Sequence, residues 1–248
     1  MTKGFGAYVL LCAGVLYWLF IAPFRGKTYR LSQIFSQMVR IGVHAVPMAA
    51  LTTLTIGLVL AMQSAAQLQS LGASQYVPGL VASSLVRELA PLIVAIIVIG
   101  RSGSAVTAEL GTMKVSEEID ALEVMAVPPM SYLILPRFLA MILMMPVLTV
   151  FGIYVGMFGG WLITHFNLNM STSYYISHAL EYIKPRDIAV CLSKSLVFGF
   201  LIVTISCHTG MNVRGGAEGV GLATTRSVVL SLFAVFIANA FVTALFYF

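Results

Sequence analysis

The chain has 248 residues, of which 59% are hydrophobic and only 9% charged, and its mean hydropathy is +0.96. Soluble domains carry about a quarter charged residues, so the composition excludes a soluble globular enzyme and reads as a polytopic helical membrane protein. The net charge of +5 reads as orientation rather than affinity for nucleic acid, because the basic residues cluster beside apolar stretches.

Crossing the hydrocarbon takes about 20 apolar residues. The first apolar segment, residues 5–24, is long for a signal-peptide core and lacks a small-residue cleavage site. It is expected to stay in the mature protein, either spanning or lying along the interface. Five later segments meet the spanning test: residues 43–64, 79–100, 133–164, 188–207 and 227–247. Pro47, Pro91 and Pro146 fall within them and are expected to kink them.

Loop charge then sets the orientation. Arg25, Lys27, Arg30 and Arg40 precede the first of the five spans, and residues 67–78 contain no Lys or Arg. Arg101, Lys114 and Arg137 flank the loop after the second span, and Arg214 and Arg226 precede the last. By the positive-inside rule these basic loops face the cytoplasm, while residues 67–78 and 167–185 face outward. Lys184 and Arg186 run against this rule but are outnumbered. The outer loop contains SYYISHALEYIKP, whose tyrosines and amphipathic pattern predict a short interfacial helix.

Between the second and third spans, residues 101–129 hold five of the nine acidic residues: Glu109, Glu117, Glu118, Asp120 and Glu123. Val106, Leu110, Met113, Ile119, Leu122 and Met125 recur among them at helical intervals. A solvated loop helix is the plainer reading. Against it, the apolar residues need cover, and so long a connection without structure is uncommon. The pattern predicts a cytoplasmic docking helix whose apolar stripe enters a partner's groove, with carboxylates at the rim.

Arg87 and Glu88 lie inside the second span and Lys194 inside the fourth. An ionisable group at that depth normally faces a partner or a watery cavity. Two cations and one anion at a similar level would suit an amphiphile with an anionic head. The structural alternative is a buried Arg87–Glu88 pair with Lys194 snorkelling to the interface.

Gly152, Gly156 and Gly160 form two overlapping GxxxG patterns, read as close helix packing. Cys12, Cys191 and Cys207 lie in apolar stretches and read as reduced packing residues. His44 and His208 are isolated and no metal site is expected; no Ser-His-Asp grouping can be assembled. There is no internal repeat, and no GxxxxGK[ST] that would cradle nucleotide phosphates. Any ATP-driven step therefore needs another subunit.

The run LVRELAPLIVAIIVIGRSGSAVTAELGTMKVSEEIDALEVMAVPPMSYLILPRF, with KSLVFGF and GVGLATTRSVVLSLFAVFIANAFVTALFY further on, closely resembles the MlaE/YrbE permease family. These are membrane subunits of MCE-associated ABC transporters of the maintenance-of-lipid-asymmetry type. The similarity extends over nearly the whole chain after about residue 30. It implies an all-α integral membrane protein of five transmembrane helices, an N-terminal interfacial helix and a cytoplasmic coupling helix between the second and third spans. The chain, 1–248, then reads as one permease domain, with 1–42 the interfacial region and 101–130 the coupling segment.

The resemblance also implies partners: a cytoplasmic ABC ATPase that holds the ATP and magnesium, a periplasmic ring of MCE-domain proteins, a small STAS-domain protein and a second copy of the chain. It implies a bacterial inner membrane location and phospholipid or similar hydrophobic substrates. No cofactor is expected in this chain. Carried onto these residues, it places Arg87, Glu88 and Lys194 in the lipid-binding cavity, lined from the first span by Leu60, Gln67, Leu68 and Leu71. It places Glu109, Lys114, Glu117, Glu118, Asp120 and Glu123 in the coupling region. Two other classes stay open: a stand-alone ion-coupled transporter using Glu88, and a scaffold that anchors a complex.

Overall fold

The computed structural model describes residues 2–20 and 31–247, and in the first helix the side chains of residues 6, 8–11, 13–15, 17 and 18. The end of the 5–24 segment, with Arg25, Lys27 and Arg30, lies outside the described residues. Those described are overwhelmingly helical and include no strand. Five helical stretches are long and apolar enough to cross a membrane: Leu31–Ser70, Ser74–Val115, Met130–Leu168, Pro185–Met211 and Gly216–Tyr247. The chain is an all-α integral membrane protein.

In chain order the helices are α1 (Thr2–Phe20), α2 (Leu31–Ile41), α3 (Val46–Ser70), α4 (Val77–Ser84), α5 (Ala90–Val98), α6 (Ser104–Val115), α7 (Glu118–Val124), α8 (Leu135–Leu168), α9 (Thr172–Tyr182), α10 (Pro185–Met211) and α11 (Gly216–Tyr247). Three single π turns interrupt the ladder, at Leu85–Leu89, Ile99–Gly103 and Met130–Ile134. Pro47 falls just after the short turn Val43–Ala45. It sits in the first turn of α3, where the missing N–H has no intrahelical partner to lose. Pro146 is inside α8, and Pro91 follows a π turn, with consequences described below.

The chain divides into two compact units. The first comprises Met1–Ala45, Val98–Met144 and Val197–Phe241. Here α1 is fastened by a hydrogen bond between Tyr8 Oη and Thr204 Oγ1 at 2.8 Å. The hydroxyl of Ser102 donates to the Ile41 carbonyl at 2.8 Å, tying the second π turn to the end of α2. Buried hydroxyls link α6, α10 and α11: Thr107 Oγ1 donates to the Ser206 carbonyl at 3.2 Å and lies 2.8 Å from Ser227 Oγ.

The second unit comprises Val46–Ile97, Met145–Leu196 and Val242–Phe248. Its centre is a close crossing of α3 and α8. A Cβ placed on Gly57 would stand 1.9 Å from the Gly156 carbonyl oxygen, and one on Gly159 would stand 2.5 Å from that of Leu54. Gly152 and Gly160 face Thr53 and Val81 respectively, so the GxxxG glycines are packing positions. Gly57→Val therefore drives two backbones apart and is expected to cost about 2 kcal/mol. Thermal unfolding in detergent measures this, and an unchanged midpoint contradicts it. The amphipathic segment after the third span forms α9, which caps α4: Tyr182 lies over Gly79, and the Tyr175 hydroxyl donates to the Met157 carbonyl at 2.9 Å. Burial pushes the Tyr175 phenol's ionisation up, so it remains a neutral donor.

Candidate functional site

The charged residues at depth are drawn together by a local defect in the second span. Residues Leu85–Leu89 form a π turn, in which the Ala90 N–H reaches the Leu85 carbonyl. Pro91 follows, and it has no N–H to give the Arg87 carbonyl four residues back. A backbone acceptor is thus left open in an apolar span, where it would cost several kcal/mol unpaired. Lys194 fills the gap: its Nζ donates to the Arg87 carbonyl at 3.0 Å.

The same ammonium donates to Glu88 Oε1 at 2.6 Å and to Thr243 Oγ1 at 2.7 Å. All three of its protons are used. That is how a lysine with no exposed surface at all is accommodated in an apolar span. Thr243 passes the interaction on, donating to Glu88 Oε1 at 2.8 Å.

Arg87 does not pair with its neighbour Glu88. Its Nη2 donates to Asp187 Oδ2 at 3.1 Å, and its Nε lies 3.1 Å from Oδ1 without hydrogen-bond alignment. Asp187 also accepts from the Tyr247 hydroxyl at 2.9 Å and from the Lys184 backbone N–H at 3.2 Å. The Tyr247 ring lies 5.5 Å from the Arg87 guanidinium carbon, a cation–π contact that closes the circuit. Arg186 donates to the Phe246 carbonyl, fixing the end of α11 against the start of α10.

The expectation of two cations against one anion is therefore corrected. Asp187 supplies a second carboxylate and the network is neutral. It also has a sidedness: Lys194 and Asp187 are buried, whereas the Arg87 and Glu88 side chains keep 39% and 36% of their surface exposed. Chemically, this edge offers one cation and one anion side by side on a rigid neutral base. Neither snorkelling of Lys194 nor an Arg87–Glu88 pair is what the structure shows.

Asp187, Thr243 and Tyr247 were missed in the sequence. Asp187 follows Pro185 in the first turn of α10 and bonds back to the N–H of Lys184, which is the pattern of a helix start. Its double use was signalled only by its lying at the same outer level as Arg87. The apolar residues expected to line the site divide. Leu60 and Leu68 pack on the core of Ala61, Ala65, Val77, Val81 and Leu85, whereas Gln67 and Leu71 are exposed. Among the described residues, no three His, Cys, Asp or Glu side chains come together to hold a metal.

The second expected site, residues 101–130, is two elements and not one docking helix. α6 continues the helical run of the second span, and the chain turns at Ser116–Glu117, where Glu117 adopts a left-handed φ of 59°. α7 follows, held by Lys114 Nζ donating to Asp120 Oδ1 at 2.6 Å and Ser116 Oγ to Glu118 Oε1 at 2.9 Å. Its apolar stripe is partly used within the chain, since Val106, Leu110 and Ile119 are buried. The most exposed apolar residues of the segment are Val124 and Met125, at 88% and 64%, beside Glu123. Glu109 is engaged internally: Arg40 forms an ion pair with it, and Arg137 Nη2 donates to its Oε2 at 3.1 Å.

Comparison with known proteins gives a consistent picture. The family model described as Permease MlaE matches residues 34–245. A probable ABC transporter permease protein of Rickettsia prowazekii is 40% identical over 217 residues, covering 88% of this chain and 84% of the relative. One from a Synechocystis species is 38% identical over 225 residues, covering 91% and 85%. Protein TRIGALACTOSYLDIACYLGLYCEROL 1, chloroplastic, of Arabidopsis thaliana is 40% identical over 212 residues, covering 86% of this chain and 60% of that protein.

Proposed function

The chain belongs to the MlaE permease family and is a multi-pass permease subunit of ABC transporter type; we propose that it moves phospholipid or a related hydrophobic molecule, driven by ATP hydrolysed on a partner. One observation carries the reading: a neutral, interlocked charge network on apolar spans that leaves Arg87 and Glu88 partly exposed. Burying ions for stability alone is a poor bargain against well-packed apolar residues. An exposed cation–anion edge in an apolar wall instead suits an amphiphile's polar head, with the acyl chains on leucines such as Leu60 and Leu68. The name of the Arabidopsis relative, which contains that of a galactolipid, points to the same class of cargo.

On this reading ATP and magnesium are held by a cytoplasmic ATPase and not by this chain. The corner bearing α7 is its docking point, with Val124 and Met125 entering a groove and Glu118, Asp120 and Glu123 at the rim. The bacterial inner membrane, an MCE-domain ring outside, a STAS-domain protein and a second copy of the chain complete the proposed assembly. Val124→Asp combined with Met125→Asp is expected to weaken co-purification of the ATPase by at least about tenfold, while leaving the thermal midpoint of the permease unchanged. Full retention of the ATPase would rule this corner out as the dock.

Stand-alone ion coupling through Glu88 is less well supported. Glu88 is gripped by Lys194 and Thr243, so its carboxylate is built into a fixed pairing rather than left open to a moving ion. Purification in mild detergent separates the readings. Co-elution with a Walker-motif ATPase supports the ABC reading; uptake driven by a pH gradient in vesicles holding the chain alone supports the other.

A further inference from the structure

α2 has two unlike faces. Leu31, Phe35 and Val39 recur every fourth residue and stand exposed, continued by Val43 just beyond the helix, while Ile34 and Ile41 are buried. An exposed apolar stripe on a helix with a polar edge belongs at the boundary between hydrocarbon and headgroups. On the polar edge, Gln37 and Arg40, with His44 in the turn that follows, line a cavity of about 190 Å³. Arg101, Ser102 and Glu109 supply the facing wall.

The cavity's charge is lopsided. Arg40 and Arg137 both engage Glu109, which is the one carboxylate in the wall among the nine acidic residues of the chain. Arg101 donates to the Arg40 carbonyl at 3.3 Å, a single bond from a fork with five N–H donors. Of the groups that line the cavity, Arg40 and Arg101 stand against this one carboxylate, which leaves one positive charge in excess. Arg101 is presented from a π turn, Ile99–Gly103, and such turns re-aim side chains at functional positions. The guanidinium fork matches a phosphate better than any other common anion at a membrane surface.

We propose that this cavity binds the phosphate of an anionic phospholipid from the surrounding leaflet, seating the lipid beside α2 with its acyl chains along the exposed stripe. The site uses none of the residues of the Arg87–Lys194 network and does not rest on the transport reading.

The test is native mass spectrometry of the full chain in mild detergent, titrated with phosphatidylglycerol or with phosphatidylcholine. Arg101→Gln removes the fork. Ala105→Leu fills the cavity, which Ala105 also lines, without changing charge. Arg214→Gln makes the same charge change at an exposed position elsewhere. The expected result is at least about tenfold weaker phosphatidylglycerol retention in the first two variants, the size of one lost charged hydrogen bond. Phosphatidylcholine retention should be unaltered, and Arg214→Gln should match the parent protein. Unchanged phosphatidylglycerol retention in both variants, or an equal loss of both lipids, overturns the proposal. Displacement of the lipid by millimolar inorganic phosphate would overturn the lipid as the source of the anion.

Discussion

Lys194→Met is expected to lower stability by about 3–4 kcal/mol and to abolish transport. The substitution keeps the volume and the apolar stem but removes a cation that makes three hydrogen bonds. The Arg87 carbonyl, which Pro91 cannot serve, then loses its donor, and Glu88 Oε1 keeps the Thr243 hydroxyl but loses its counter-charge. Breaking a buried ion pair from one side costs about 3–5 kcal/mol. Glu88 keeps 36% of its side chain exposed, so water recovers part of this. The double variant tests the coupling more sharply. With Glu88→Gln added, no lone carboxylate is left behind, and the pair of changes should cost clearly less than the sum of the two single ones. Unfolding in detergent measures all four proteins. Strict additivity would mean that the pair is not coupled and the network is misread.

Asp187→Ala should cost about 2–3 kcal/mol, the next largest loss, although nothing in the sequence marked this residue for function. It takes away the acceptor of Arg87, of the Tyr247 hydroxyl and of the Lys184 N–H at once. Arg87 is 39% exposed, so it can turn to water and the loss stays below that of a sealed pair. Asp187→Asn keeps one acceptor oxygen and should fall between the parent and the alanine variant. Loss of Asp187 also leaves the edge cationic where it had been neutral, so affinity for anionic amphiphiles should rise relative to zwitterionic ones. A stability indistinguishable from the parent in Asp187→Ala would contradict the geometry.

The spans and the depth of Arg87, Glu88 and Lys194 were legible because both are properties of local composition: apolar runs of membrane length, and ions where none should be. The pairing was not legible. It depends on which faces of α4, α10 and α11 meet, and on a π turn that rotates Arg87 relative to an ideal helix. Period counting also could not tell that the stripe over 101–129 would be divided. Val106, Leu110 and Ile119 find cover within the chain, while Val124 and Met125 do not. The N-terminal region shows the same limit. Hydropathy drew notice to residues 5–24, but the strongly two-faced helix is α2, whose polar residues lower its hydropathy. Gly57 escaped notice because the GxxxG signal lies on α8, and its partner surface on α3 carries a single glycine where the backbones touch.

The most direct measurement is phospholipid transfer in vesicles that hold the permease with its ATPase partner. Fluorescent phospholipid should move to an external acceptor only with hydrolysable ATP. Lys194→Met should reduce that transfer to background while the complex still assembles. Transfer that continues at the parental rate in Lys194→Met, or that proceeds on a pH gradient without the ATPase, would contradict the account.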